Sequence, residues 1–264
     1  MQLRLAPWAL LAVAAMWGIS FVWMKDILDQ QDVYSFLTSR FIFAALAMII
    51  IKPKVLKLFT KELVSKGFII GLALGSGYIF QTLGLDRTTP AITGFITGLY
   101  VVITPLIAAL LLKERVTLKM WGFILLAVVG LAVLSVEGWS VGIGEFLVFI
   151  SAILFAVHII MLGAWSKNFD AYALTVMQLI GCAFLSAIPA GINGFNPPPD
   201  TQVWAVVIFT AVFATAIAFV IQTWSQARIS TTKVAVILTM EVVFAALFSF
   251  AYGMEPFTLR LAIG

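Results

Sequence analysis

The sequence predicts an all-α polytopic membrane protein, an inverted repeat of two five-helix halves around a central cavity. Three observations carry that reading: a composition unsuited to water, a series of apolar runs each long enough to cross a bilayer, and an internal duplication. Of 264 residues, 62% are hydrophobic and 11% charged, with a mean hydropathy of +1.11. A soluble domain carries about 25% charged residues, so the surface of this chain has to face lipid. The single cysteine, Cys182, excludes an internal disulfide framework and a thiolate-built metal centre, and the single histidine excludes a His-rich site. No metal or cofactor is expected.

The apolar runs follow in order. Arg4 precedes the first, residues 7–24, which continues through Trp17 and Phe21 and leads into no soluble domain, so it is a span and not a secretory signal. The next four are residues 36–51, 68–85, 92–112 and 120–136, and the second half supplies 146–165, 173–192, 204–224 and 234–252. Each is close to the roughly 20 residues that cross a hydrocarbon core about 30 Å thick. None alternates as a barrel strand does, which leaves helices.

The duplication shows in the polar residues, the rare ones here. An offset of 141 lays Gln81-Thr82 on Gln222-Thr223, Arg87 on Arg228, Val101-Val102 on Val242-Val243, Glu114 on Glu255 and Thr117-Leu118 on Thr258-Leu259. Upstream, an offset of 138 lays Asp32 and Tyr34 on Asp170 and Tyr172. The unit is longer than solenoid repeats and is therefore a duplicated domain, residues 1–138 and 139–264. A half with five spans inverts the second copy relative to the first. The fifth span's counterpart begins at Thr258 and the sequence ends at Gly264. The repeat thus predicts a truncated tenth helix, with about 20 further residues in the native gene; the alternative is a nine-span protein with an external C-terminus.

Loop charges give orientation. Arg4, the cluster Lys52, Lys54, Lys57, Lys61 and Lys66, then Lys113, Arg115, Lys119, Lys167, Arg228 and Lys233 all fall on one side. Asp26, Asp29, Asp32, Asp86, Glu137, Glu145, Asp200 and Glu255 collect on the other. By the positive-inside rule the N-terminus is cytoplasmic. The net charge of +4 then reflects membrane orientation and not nucleic-acid binding.

Polar residues within the spans are the candidate site. Glu241 lies inside an apolar run, where a charge costs about 2.5–3.5 kcal/mol on insertion scales, so it faces a cavity or a partner; the plainer reading is an internally hydrogen-bonded acid. His158 shares a stripe with Ser151, Phe155 and Trp165 and is either a proton carrier or a packed core histidine. Gln81 and Gln222, as repeat partners, fit a cavity wall, although interhelical hydrogen bonding is the competing role. Thr93, Thr97, Tyr100 and Thr104 form a hydroxyl stripe, and Tyr100 falls in register with Glu241. Trp17 and Ser20 share a face of the first span, too deep for an interfacial anchor. Gly67, Gly71 and Gly75, with Gly94 and Gly98, predict close packing of the third span on the fourth.

Trp17-Gly18, Arg40-Phe41, Pro105 followed by Lys113-Glu114-Arg115, and Glu241 with Glu255 resemble the EamA-type drug/metabolite transporters over nearly the whole chain. The resemblance implies ten helices in two inverted halves around a cavity, exporting or exchanging small metabolites. The family usually places proline after the acid of the ninth span, and here Val242 follows Glu241, which implies a straighter ninth helix.

A channel would want charge rings or a carbonyl-lined filter, an intramembrane enzyme paired acids or a Ser–His cluster, and an ATP-driven pump a GxxxxGK[ST] loop. The sequence shows none of these. The expected function is secondary transport of a small metabolite, such as an amino acid, nucleobase or amphipathic drug, across a bacterial inner membrane. The expected partners are the substrate, the lipid bilayer and protons as coupling ion through Glu241 and His158. The alternatives are a passive pore, or a membrane protein that does not transport if the short C-terminus is native.

Overall fold

The computed structural model describes residues 2–112 and 142–254, with positions 118, 119, 121, 122, 125, 126, 129 and 256. The helices are α1 (Gln2–Ile27), α2 (Val33–Ile51), α3 (Lys61–Leu85), α4 (Pro90–Thr97), α5 (Tyr100–Leu112), α6 (Ile143–Trp165), α7 (Ala171–Asn193), α8 (Thr201–Ala211), α9 (Ala218–Gln226), α10 (Thr231–Leu238) and α11 (Met240–Ala251). Short 3₁₀ turns at Pro53–Leu58 and Ser166–Asn168 follow α2 and α6. Eight helical stretches among the described residues are long and apolar enough to span a bilayer, and they coincide with eight of the nine predicted spans. The fifth, residues 120–136, falls outside the described residues apart from isolated helical positions. So do Lys113, Glu114, Arg115, Glu137, Glu255 and the predicted start of a tenth helix at residues 258–264.

Much of the sequence duplication is explained by helix ends. Asp32 caps α2, accepting from the backbone N–H of Ser35 at 2.8 Å, and Asp170 caps α7, accepting from that of Ala173 at 2.9 Å. Each satisfies an N–H that the first turn leaves without a partner. At the other end, Arg87 donates to the Leu83 carbonyl of α3 and Arg228 to the Trp224 carbonyl of α9, at 2.6 and 2.9 Å. Cations are favoured at C-terminal carbonyls. The coincident polar residues thus perform the same local task in both halves.

Two spans are interrupted at equivalent points. The fourth tightens to a 3₁₀ turn between α4 and α5, where Leu99, Val101 and Val102 each donate three residues back. The ninth does the same between α10 and α11, with Val242 donating to the Thr239 carbonyl at 3.0 Å. Gly98 and Thr239, the two pivots, are related by the 141-residue offset. The straighter ninth helix expected from Val242 is therefore not found; a change of hydrogen-bond register does what proline would have done. A third interruption has no counterpart. Val212–Ile217, between α8 and α9, is a π-helical segment, whereas the equivalent stretch of α3 is regular.

Packing follows the duplication too. α3 lies along α6 and α7, and its counterpart, α8 to α9, lies along α1 and α2; α4 and α5 pack on α6 as α10 and α11 pack on α1. The glycines belong to these crossings. A Cβ at Gly71 would strike the Gln178 backbone, and one at Gly67 would come within 2.7 Å of Met177 Cβ, so α3 approaches α7. Gly94 and Gly98 face Ala245 and Val242 of α11. Close packing of the third span on the fourth is thus corrected: each uses its glycines on a helix of the other half. Polarity is inverted relative to a soluble protein. Trp8, Leu46, Ile51, Phe184 and Ile192 are exposed, while Arg40, Gln81, His158, Gln178, Gln222 and Glu241 are buried.

Candidate substrate cavity

The buried polar residues converge on one cavity between the halves. All eight residues singled out from the sequence line it: Trp17, Ser20, Gln81, Thr97, Tyr100, His158, Gln222 and Glu241. About 470 Å³ of space between atoms lies along it, part of it open to solvent, but the part wide enough for the centre of a water molecule is about 30 Å³. That is room for water and not for a metabolite, since one water centre needs about 10–15 Å³. A substrate could enter only if the walls parted.

The wall is assembled from equivalent positions. With the 138-residue offset Trp17 corresponds to Phe155 and Ser20 to His158; with the 141-residue offset Tyr78 corresponds to Phe219, Gln81 to Gln222, Thr97 to Leu238 and Tyr100 to Glu241. Contacts obey the same exchange. Trp17 packs on Phe219 with ring centroids 5.5 Å apart, and Phe155 packs on Tyr78 at 5.3 Å. Tyr78 and Phe219 meet edge to face at 6.1 Å.

The polar groups divide into those with partners and those without. Trp17 Nε1 donates to the Ala214 carbonyl at 2.8 Å, and Ser20 Oγ to the Trp17 carbonyl at 2.7 Å. The π-helical segment is what turns Ala214 toward α1, in keeping with the placement of such bulges at working sites. Gln81 donates to Thr97 Oγ1 at 3.0 Å, joining α3 to α4. Gln222 donates within its own helix to Gln226, which reaches the Ile159 carbonyl at 2.8 Å. The Gln178 amide nitrogen is directed to the Leu174 carbonyl at 3.3 Å, so its oxygen accepts from His158 Nε2 at 2.9 Å, which assigns the ring tautomer. His158 is thus both packed and part of the wall. By contrast, Tyr100 Oη and Gln222 Oε1 are buried without a hydrogen-bond partner among the described residues. Glu241, 4% exposed, forms no ion pair among them. Buried polar atoms are nearly always satisfied, so the two unpartnered oxygens of Tyr100 and Gln222, beside an acid with no ion pair, mark where a ligand or water could complete the bonding.

Two polar wall residues are not among those singled out from the sequence. Arg40 stood out there only as part of a family motif, near where the second span was expected to begin. The helix actually starts at Val33, which carries Arg40 into the interior at 1% exposure. Its guanidinium lies over the Tyr78 ring, 4.7 Å from the centroid. Tyr78, three residues before Gln81 on α3, shares the cavity face of that helix, a spacing that could have found it.

The profile of the EamA-like transporter family matches the chain twice, over residues 4–136 and 142–264. The chain belongs to the EamA-like transporter family. It is 36% identical over 254 residues to an uncharacterized transporter of Archaeoglobus fulgidus, covering 96% of this chain and 80% of that one. An uncharacterized transporter of Bacillus subtilis, YcxC, is 27% identical over 237 residues, covering 82% and 75%. A WAT1-related chloroplastic protein of Arabidopsis thaliana is 24% identical over 272 residues, covering 94% and 64%. A solved crystal structure shares the fold with a TM-score of 0.74 at 17% identity, covering 98% of this chain and 91% of the other. Family and relatives make this a membrane transporter.

Proposed function

We propose that this EamA-like protein is a secondary transporter, an exporter or exchanger, that moves a small organic metabolite by alternating access about the cavity. The observation that carries the reading is the coincidence of the two helix interruptions with the wall: Tyr100 opens α5 and Glu241 lies in the first turn of α11, just past the turns at Gly98 and Thr239. Interrupted helices at a repeat interface are where transporters of this kind hold their cargo, and short 3₁₀ stretches within helices serve as hinges. Contacts that recur with the halves exchanged support an inverted repeat of residues 1–138 and 139–264. The lysine-rich loops support a cytoplasmic N-terminus, in a bacterial inner membrane. An amino acid, a nucleobase or an amphipathic drug would each suit an aromatic wall with hydroxyl and amide groups.

In this reading Glu241 couples transport to protons. It is the only acid on the wall among the described residues, and a carboxyl there can take a proton from one side and release it to the other; His158 is the second group able to do so. The experiment is transport of a metabolite panel by the purified protein in liposomes, with and without a pH gradient. Wild type is expected to move at least one compound faster with the gradient. Glu241→Gln is expected to lose gradient-driven net transport and keep exchange. No transport of any compound would count against the transporter, and wild-type pH response in Glu241→Gln would remove this residue from coupling.

A further inference from the structure

Among the described residues, Arg40 is the one permanent charge on the cavity wall. A guanidinium does not deprotonate in proteins, so its charge cannot be relieved as that of a carboxyl or an imidazole can. Burying it without a counter-charge is costly, yet no carboxylate among the described residues meets it. The two ion pairs among the described residues, Lys66–Glu62 and Arg87–Asp86, lie elsewhere. Its acceptors are all neutral. Nε donates to Thr215 Oγ1 at 2.7 Å, a well-formed bond that pins the group to the π-helical segment. The two terminal nitrogens have only long contacts: Met24 Sδ at 3.5 Å, Tyr78 Oη at 3.5 Å and the Ala214 carbonyl at 3.4 Å. The guanidinium is therefore fixed in orientation by one nitrogen while its fork is under-used. A planar fork of this kind matches a carboxylate, which accepts two parallel bonds from it.

We propose that Arg40 is the seat of a substrate carboxylate, so that the transported compound is a small organic acid or amino acid with an apolar body. The inference rests on the transporter reading of the same cavity and adds the substrate class. Trp17, Phe155 and Phe219 offer the apolar body aromatic faces, and Tyr78 stacks on the guanidinium without neutralising it. Glu241 is the wall's one carboxylate among the described residues, and it is not paired with Arg40. A ligand bearing an ammonium group as well would satisfy both charges, whereas a simple monocarboxylate would satisfy Arg40 alone. The competing role, a structural pin between α2 and the π-helical segment, is filled mainly by Nε, and the fork adds to it only the long 3.4 Å contact to the Ala214 carbonyl.

The test compares acids with their amides. The purified full chain in detergent is heated with each proteinogenic amino acid, and with propionate and 3-phenylpropionate, each beside its carboxamide. At least one acid is expected to raise the apparent Tm while its amide binds at least about tenfold more weakly, the size of one charge-assisted bond. Arg40→Gln is expected to lose that response and Arg40→Lys to keep part of it. Because the acid–amide comparison is made on wild type, it decides even if Arg40→Gln does not fold. Equal responses to acid and amide, no response to any acid, or a full response in Arg40→Gln would each overturn the seat. A response to amino acids alone assigns the ammonium to Glu241, and one to simple acids as well assigns the carboxylate only. Liposome transport of the responding probe separates the two readings. Binding without passage defeats the transporter and leaves the seat; passage of acids and amides alike defeats the seat and leaves the transporter.

Discussion

At the cavity the first half presents Trp17, Ser20, Tyr78, Gln81 and Tyr100, and the second presents Phe155, His158, Phe219, Gln222 and Glu241 from the equivalent positions. The frame is common and the chemistry is not. Glu241 stands where the first half has Tyr100. Arg40 stands where the second half has Gln178, which is occupied by His158. Duplication supplies two copies of each wall position, and divergence of one copy is enough to place a charge. One cation and one acid facing a shared space need only two such changes, one in each half, with no change to the helices that carry them.

The third and eighth spans make the same comparison in the backbone. α3 is regular and gives Gly67, Gly71 and Gly75 to a close crossing with α7. The eighth span is distended at Val212–Ile217, and so can offer the Ala214 carbonyl and the Thr215 hydroxyl to Trp17 and Arg40. Substitutions at paired positions test how far this specialisation goes. The largest effect is expected at Gly71, where any Cβ meets the Gln178 backbone. Overpacking costs about 1–3 kcal/mol and occasionally more, and here backbone has to move, so Gly71→Val should abolish monodisperse folded protein in detergent. Its counterpart Val212 is only half-buried; Val212→Gly should cost about 1 kcal/mol, the helix penalty for glycine. Equal tolerance at both would show that the α3–α7 crossing is looser than drawn.

An intermediate effect is expected at Thr215, paired with Leu74 of α3. Thr215→Val keeps the shape and removes the 2.7 Å bond to Arg40 Nε. Loss of a hydrogen bond to a charged group costs about 1.5–3 kcal/mol, read as a lower apparent Tm and, if Nε orients the fork, as weaker carboxylate binding. Leu74→Met, an apolar exchange of similar volume, should cost less than about 1.5 kcal/mol. A loss at Thr215 no larger than that at Leu74 would mean that the bond to Arg40 Nε contributes little to stability.

What could be read from the sequence, and what could not, divides along physical lines. Span positions were legible because lipid leaves a one-dimensional signal about 20 residues long. The eight wall residues were legible because a polar side chain inside such a run needs a partner or a cavity. Partners across the bundle were not: Gly71 and Gly94 announce close approach without saying to which helix, and only the fold brings α7 and α11 to them. The turn at Thr239 was missed because the reading looked for proline, while a turn can tighten by moving one hydrogen bond. Arg40 was missed for a related reason. Its depth depends on where α2 begins, and Asp32, already noticed as a repeat residue, is the cap that sets that point.

The smallest effect is expected at the helix caps, where the halves have not diverged. Asp32 and Asp170 do the same work at the starts of α2 and α7, each accepting from the backbone N–H three residues on. Replacing such a cap by alanine costs about 1 kcal/mol. Asp32→Ala and Asp170→Ala should therefore lower the apparent Tm by similar amounts. They bond different backbone groups and share no partner, so the double variant should lose the sum of the two. Neither residue touches the cavity, and the acid–amide preference of the binding test should be unchanged in both. Asp32 has one further consequence that Asp170 lacks: its cap sets the start of the helix that carries Arg40, where α7 carries Gln178. If Asp32→Ala alone weakened carboxylate binding at unchanged fold, the register of α2 would be what delivers the charge to the wall, and the caps would differ in function despite their shared bond to the N–H three residues on.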